Sequence, residues 1–177
     1  MFADIEDGDM VTDEENQWML QPIMREEIVM AVKSLDKDSA AGPDGFPNYF
    51  YKDCWSIIGD DVVVAVQDFF LKAKLVGSVN HTMICLIAKQ QSAIRVEDYR
   101  LISLCHAIYK IIAKIIVIRM RDVIMRLVQR NQAAFSKGRQ IQDNILWANE
   151  IANSKDFWSK GGCFLKLDLS KAYDRVS

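Results

Sequence analysis

The sequence has few of the residues from which zinc sites and disulfide frameworks are built. Its 177 residues include four cysteines, which are far apart and form neither a Cys-x-x-Cys pair nor a Cys/His ligand spacing. Neither a zinc site nor a disulfide is therefore expected. The cysteines are predicted to be reduced core thiols of an intracellular protein, in the nucleus or the cytoplasm.

Long apolar runs and glycine-rich nucleotide loops are also missing. The most apolar run, 111–118, is short and is broken by Lys114, so no membrane span and no membrane partner are expected. The acidic start of the chain predicts that there is no signal peptide. Neither a phosphate-loop signature nor a dinucleotide fingerprint occurs, and no internal repeat is found.

Charge is distributed unevenly along the chain, although the net charge is only −2. Residues 1–71 hold 4 Lys/Arg and 16 Asp/Glu, residues 72–139 hold 13 and 3, and residues 140–177 hold 5 of each. A basic middle segment in an otherwise acidic chain indicates a polyanionic partner, of which nucleic acid is the usual one. The alternative is a set of solvated helix faces.

Apolar periodicity predicts an α-rich α+β protein. The pattern gives a helix over 22–35, a helical pair over 49–58 and 60–74, a buried strand over 82–89, a helix over about 103–129, a helix opening at Asp143 or Asn144, and a terminal strand over 163–167. Asp60 or Asp61 is predicted to cap its helix. Two glycines and two prolines in 39–47 predict a structured loop, which Phe46 would anchor to the core.

Basic side chains recur along the predicted helix over 103–129. One face carries Lys110, Lys114 and Arg121, and another carries Arg119, Arg126 and Arg130. This spacing can follow a phosphate backbone, and it is equally compatible with a solubilising face.

The C-terminal stretch contains the strongest candidate for catalysis. Residues 163–167, which are apolar apart from Lys166, predict a short buried strand that ends at Asp168. A carboxylate at the mouth of a buried strand can hold a hard cation such as Mg²⁺ together with substrate phosphates. The alternative is an aspartate that caps the following helix.

Six stretches, in this order, resemble one family. They are 41–46 (AGPDGF), 86–89 (LIAK), 99–104 (YRLISL), 131–135 (NQAAF) with Gly138 and Arg139, 143–145 (DNI) and 167–174 (LDLSKAYD). Together they resemble the fingers and the first palm motif of the reverse transcriptases of non-LTR (LINE-type) retrotransposons, especially those of plants. Each motif is weak alone, whereas six in order are specific.

The resemblance implies RNA-directed DNA polymerase activity on a right-hand polymerase fold. It implies an RNA template, a DNA primer, dNTPs and two Mg²⁺ ions. In these terms, residues 1–17 are an acidic, loose lead-in, residues 18–160 correspond to the fingers, and residues 161–177 begin a palm whose sheet is truncated.

The resemblance also implies roles for individual residues. Asp168 matches the first catalytic aspartate, which bridges both metals, and Leu169 would add its main-chain carbonyl as a metal ligand. Tyr173 matches the bulky residue under the deoxyribose that excludes a 2′-hydroxyl, and Asp174 is more typical of a structural hydrogen-bonding group. Three basic residues match fingers positions that face the template or the triphosphate: Lys89, Arg100 and Arg139.

The sequence departs from the family at several points. Ala88 and Leu101 stand where the family usually has proline, and the paired-aspartate motif Tyr-x-Asp-Asp would lie beyond Ser177. One carboxylate cannot hold two divalent ions, so we expect this polypeptide not to polymerise by itself. The alternatives are a non-catalytic nucleic-acid-binding remnant and a functionless pseudogene product.

Overall fold

A computed structural model describes residues 10–128, 132 and 138–163. The chain forms two compact units, Met1–Leu127 and Val128–Ser177. The described elements of the first unit are α1 (Asp13–Met19), α2 (Arg25–Ser34), α3 (Asn48–Asp53), α4 (Trp55–Lys72), α5 (Gly77–Asn80), β1 (Thr82–Ala88), a 3₁₀ turn (Val96–Asp98), β2 (Tyr99–Cys105) and α6 (Ala107–Leu127). Those of the second are α7 (Ile141–Asn153) and α8 (Lys155–Ser159).

The core of the first unit lies among α2, α4 and α6. Its largest fully buried side chains come from these three helices and are Ile28, Val66, Ile111 and Ile115. They lie on the apolar stripes that helical periodicity predicts, and burying each one contributes about 1.5–3 kcal/mol to folding. The observed structure is helix-rich with one small sheet, which confirms the α+β class.

Helices α1 and α2 begin with capping interactions. The hydroxyl of Thr12 accepts a hydrogen bond from Glu15 N, and Glu15 Oε2 accepts one from Thr12 N. These two bonds satisfy backbone donors that the first turn would otherwise leave unpaired, so α1 begins at Asp13. At the start of α2, Met24 N donates to Glu27 Oε2 at 3.1 Å. Helix α2 begins at Arg25 instead of at the predicted Pro22.

Helices α3 and α4 meet at Cys54, several residues before the predicted boundary. Asp60 therefore caps no helix; it lies within α4 and accepts a hydrogen bond from Arg25 Nη1 at 2.6 Å. Phe46 is 46 % exposed, so its predicted role as a core anchor is wrong. Its ring instead packs on that of Phe50, with centroids 4.5 Å apart.

Strands β1 and β2 form an antiparallel ribbon in which Thr82 pairs with Cys105 and Ala88 with Tyr99. Every residue of β1 is exposed, so the prediction of a buried strand is right about the strand and wrong about its burial. Residues 103–105 belong to β2 and not to the following helix. Their backbone pairs with β1, and this pairing overrides the helical pattern read from the sequence.

The second unit contains α7, which begins at Ile141, two residues before the predicted start. Asp143 lies in its first turn, where the helix dipole favours a negative charge. The predicted terminal strand over 163–167 lies outside the described residues, apart from Cys163. Among the described residues, no helix is both long and apolar enough to cross a lipid bilayer.

Candidate nucleotide and template site

The predicted catalytic and sugar-contacting residues, Asp168, Leu169 and Tyr173, lie outside the described residues, as does Asp174. Within the described ranges, no three His, Cys, Asp or Glu side chains come together in a way that could hold a metal ion. The candidates whose surroundings are described are therefore the three basic residues, two in the first unit and one in the second.

Lys89 closes the turn of the β1–β2 ribbon. Its ammonium group donates to the carbonyl of Glu97 at 2.6 Å, and its backbone N–H donates to the carbonyl of Asp98 at 2.8 Å. These two bonds tie the start of the turn to its end. The Lys89 side chain thus shapes the ribbon tip in this structure, instead of extending from it.

Asp98 organises the interior of the same turn. One carboxylate oxygen accepts hydrogen bonds from Arg95 N at 3.0 Å and from Ile94 N at 3.2 Å. These bonds favour the ionised carboxylate, so they hold the pKa of Asp98 below its ordinary value, the Arg95 bond contributing most. Charge-assisted bonds therefore contribute to holding the turn.

Arg100 differs from Lys89, because no hydrogen bond to its guanidinium occurs among the described residues. It lies near the start of β2, opposite Ile87, and is exposed. Its cross-strand partner Ile87 and the next pair along the same ribbon face, Ile102 and Cys85, carry no charge. A guanidinium in this setting can make forked contacts to phosphate oxygens without breaking an existing bond.

Arg139 belongs to the second unit and is engaged there. Its guanidinium donates to the carbonyl of Gln132 at 2.9 Å and to that of Val128 at 3.1 Å. The preceding Gly138 has φ +79°, a conformation that glycine adopts without steric penalty. Arg139, two residues before α7, is therefore bonded to the backbone at Val128 and Gln132.

Three of the basic residues predicted to line α6 bind groups of the first unit, and one of them, Arg119, is buried. Arg119 is buried, and its guanidinium bonds Glu27 and the carbonyls of Met19, Gln21 and Pro22. The Arg119 hydrogen bond is the main reason that the pKa of Glu27 lies below its ordinary value. Arg119 is thus neither a phosphate contact nor a solubilising group.

Two further α6 cations bind partners of the first unit. Arg126 Nη2 donates to Glu15 Oε2 at 2.6 Å and to the Met10 carbonyl at 2.8 Å, and the Glu15 pKa is lowered chiefly by the Arg126 bond. Lys110 Nζ donates to the Ala40 carbonyl at 2.6 Å. The opposite charges of residues 1–71 and 72–139 therefore pair partly with each other.

Sequence reasoning missed a contact between the loop over 39–47 and the start of α6. His106 Nδ1 lies 2.9 Å from Asp44 Oδ2, with both side chains mostly covered. Gly42 lies so close to the backbone of Cys105 and His106 that an added Cβ would be 2.6 Å from Cys105 C and His106 N. The glycine pattern predicted a structured loop, but nothing local indicated what the loop contacts.

Comparison with known proteins identifies the family to which the chain belongs. The family described as reverse transcriptase (RNA-dependent DNA polymerase) matches residues 87–177, which is more than half of the chain. The chain belongs to this family. The match includes Arg100, Arg139 and Asp168.

A curated relative places the chain more narrowly. It is 28 % identical over 171 residues to the transposon TX1 uncharacterized 149 kDa protein of Xenopus laevis. The alignment covers 96 % of this chain and 13 % of that relative. The prediction of a reverse transcriptase segment from a non-LTR retrotransposon is thereby confirmed.

Proposed function

We propose that this chain supplies the fingers and the start of the palm of a polymerase that copies RNA into DNA. Residues 18–160 would form the fingers and residues 161–177 the start of a right-hand palm, with residues 1–17 as an acidic lead-in. The observation that carries the proposal is the family match over residues 87–177, because it spans the basic candidates Arg100 and Arg139 as well as Asp168.

In the proposed site, Asp168 would be one ligand of two Mg²⁺ ions, together with the paired aspartates that the rest of the palm supplies in the family, and Leu169 would contribute its main-chain carbonyl. Carboxylate and carbonyl oxygens are the ligands that Mg²⁺ prefers, so the donor set suits the ion. Bound Mg²⁺ would supply activation of the primer 3′-hydroxyl and neutralisation of the leaving pyrophosphate. Tyr173 would pack under the deoxyribose and exclude a 2′-hydroxyl.

The basic residues divide into two roles in this proposal. Arg100, exposed and without a hydrogen bond to another described residue, would contact the dNTP triphosphate or the template phosphates. Lys89 and Arg139 already donate to carbonyls of their own segments, so they would shape the ribbon turn and the approach to α7. A phosphate would have to be bound by the N–H donors that these carbonyl bonds leave over.

Primer extension tests the proposal on an extended chain, in which this sequence is continued by the remaining palm of a reverse transcriptase of the family. With an RNA template, a DNA primer, dNTPs and Mg²⁺, we expect DNA synthesis that Asp168→Asn abolishes. Asp156→Asn, which alters an exposed aspartate of α8 outside the six family-like stretches, should retain activity. Undiminished synthesis by the Asp168→Asn protein would contradict the proposal. The 177-residue chain alone should give no product.

A non-catalytic RNA-binding role receives less support from the structure. It relied on the basic middle segment, and three of the α6 cations in that segment bind groups of the first unit: Lys110, Arg119 and Arg126. Binding of single-stranded RNA by the isolated chain would distinguish the two roles. A steep salt dependence, with a log–log slope of about −0.7 per phosphate contact, would revive this alternative.

A further inference from the structure

The β1–β2 ribbon has little packing that could fix its direction. All residues of β1 are exposed, and so are Arg100 to Ser103 of β2. A two-stranded ribbon with both faces open to solvent is held mainly at its base. Where the ribbon points must therefore depend on contacts near Thr82 and Cys105, the residues paired at that end.

The loop over 39–47 packs directly on that base. Gly42 contacts the backbone at the junction of β2 and α6, with no room for a Cβ beside Cys105 and His106. A turn keeps the loop in shape, since Gly45 N donates to the Gly42 carbonyl at 3.0 Å and Gly45 has φ +74°. The loop thus packs against the last residue of β2 with its turn closed by a hydrogen bond.

Two side-chain contacts fasten the loop to α6. Asp44 Oδ2 lies 2.9 Å from His106 Nδ1, while Asp44 Oδ1 accepts a hydrogen bond from Phe46 N at 3.1 Å. One helical turn beyond His106, Lys110 Nζ donates to the Ala40 carbonyl at 2.6 Å and to the Ser39 hydroxyl at 3.1 Å. His106 follows β2 directly, so its bond to Asp44 acts at the point where the ribbon leaves the helical body.

We propose that Gly42, Asp44, His106 and Lys110 form a clamp that sets the direction of the β1–β2 ribbon. Because Arg100 lies on β2, the clamp places its guanidinium relative to the helices. The clamp residues are positioning residues and need not touch substrate. The functional consequence rests on the proposed role of Arg100, whereas the mechanical claim stands without it.

Distances measured by pulsed electron spin resonance test the clamp in the 177-residue chain. Spin labels attached to ketone-bearing amino acids at Ser92, in the ribbon turn, and at Ser56, on the exposed side of α4, leave the four cysteines unchanged. In the labelled protein with an unsubstituted clamp, we expect one dominant distance between the two labels. His106→Ala and Asp44→Ala should lose it and give a broad distribution.

Conservative and control variants separate positioning from loss of fold. His106→Asn can place an amide N–H where Nδ1 lies, so it should restore the single distance. His81→Ala alters the other histidine, which is exposed, and should leave the distribution unchanged. Circular dichroism should show the same helix content in the four variants as in the unsubstituted protein.

The outcomes are separable from those of the proposed function, because no activity is measured. A single unchanged distance in His106→Ala would overturn the clamp, and so would a broad distribution in the unsubstituted protein. Broadening in His106→Ala that His106→Asn does not reverse would also overturn it, since the Nδ1 hydrogen bond would then not be the cause. The proposal about Asp168 is unaffected by any of these results.

Discussion

Arg119 and Glu27 are 92 residues apart in sequence and form a two-pronged ion pair. Arg119 Nε lies 2.8 Å from Glu27 Oε1, and Arg119 Nη2 lies 2.8 Å from Glu27 Oε2. The same guanidinium bonds three carbonyls between Met19 and Pro22, the connection that leads from α1 to α2. One side chain of α6 therefore holds the start of α2 and the segment before it.

Arg119→Met should destabilise the protein strongly. The substitution keeps an apolar stem but leaves the Glu27 carboxylate and three carbonyls without their donor. Because the Glu27 side chain is 27 % exposed, the cost is that of leaving partly buried hydrogen-bonding groups without partners, about 1–3 kcal/mol. Arg121→Met, at an exposed arginine of the same helix, should change the free energy of unfolding by less than about 0.5 kcal/mol. Urea unfolding of both variants checks the difference, and equal stabilities would contradict the structural role of Arg119.

The Arg119–Glu27 pair should also make stability depend on pH. Its hydrogen bonds lower the folded-state pKa of Glu27 below its ordinary value of 4.5. The stabilisation is therefore complete above that value and is lost as pH falls towards the lowered pKa. Unfolding measured from pH 6 down to pH 3 should show a smaller loss of stability for Glu27→Gln than for the unsubstituted protein. Identical pH profiles would contradict this linkage.

Gly42→Ala should be destabilising, because the new methyl group would collide with backbone atoms that cannot move aside easily. Overpacking of this kind costs about 1–3 kcal/mol. The matched control is Gly77→Ala, since a Cβ there meets no atom within 4 Å and φ is not positive. That control should be neutral or slightly stabilising in thermal unfolding. A neutral Gly42→Ala would mean that the loop does not pack on the β2–α6 junction.

Arg100→Ala in the extended chain should impair use of dNTP while leaving stability unchanged. Losing one charge-assisted hydrogen bond costs about 1.5–3 kcal/mol, which corresponds to roughly a 10- to 100-fold rise in KM. Arg95→Ala removes an exposed arginine of the same ribbon turn and should have little effect. Steady-state primer extension at varied dNTP concentration measures both. An unchanged KM for Arg100→Ala would exclude it as the triphosphate contact.

The helical core follows from sequence more readily than the contacts around it. Ile28 and Ala31 in α2, and Val62 and Val66 in α4, recur at helical spacing and are buried as that spacing predicts. Periodicity works here because the apolar stripe of a helix has to be covered. Periodicity does not determine where a helix begins or ends. The predicted start of α4 is Asp60, whereas the helix begins at Trp55.

The exposed β1–β2 ribbon and the buried Arg119 show that periodicity does not predict which tertiary contacts an element makes. An apolar run such as 82–88 predicts a strand, but its burial depends on a neighbour that the run does not encode, and β1 is exposed throughout. Likewise, the spacing of Arg119 and Arg126 on α6 fits a phosphate-binding row. Their partners Glu27 and Glu15 are remote in sequence, so only the fold shows that the charges are already paired.

Metal binding by Asp168 tests the central claim most directly. Mn²⁺ can replace Mg²⁺ as a paramagnetic probe, and its electron spin resonance signal reports binding to the extended chain with primer, RNA template and dNTP. We predict that Asp168→Asn reduces Mn²⁺ binding to that of the nucleotide free in solution, whereas Asp174→Asn retains it. Equal Mn²⁺ binding by the Asp168→Asn and unsubstituted proteins would contradict the account.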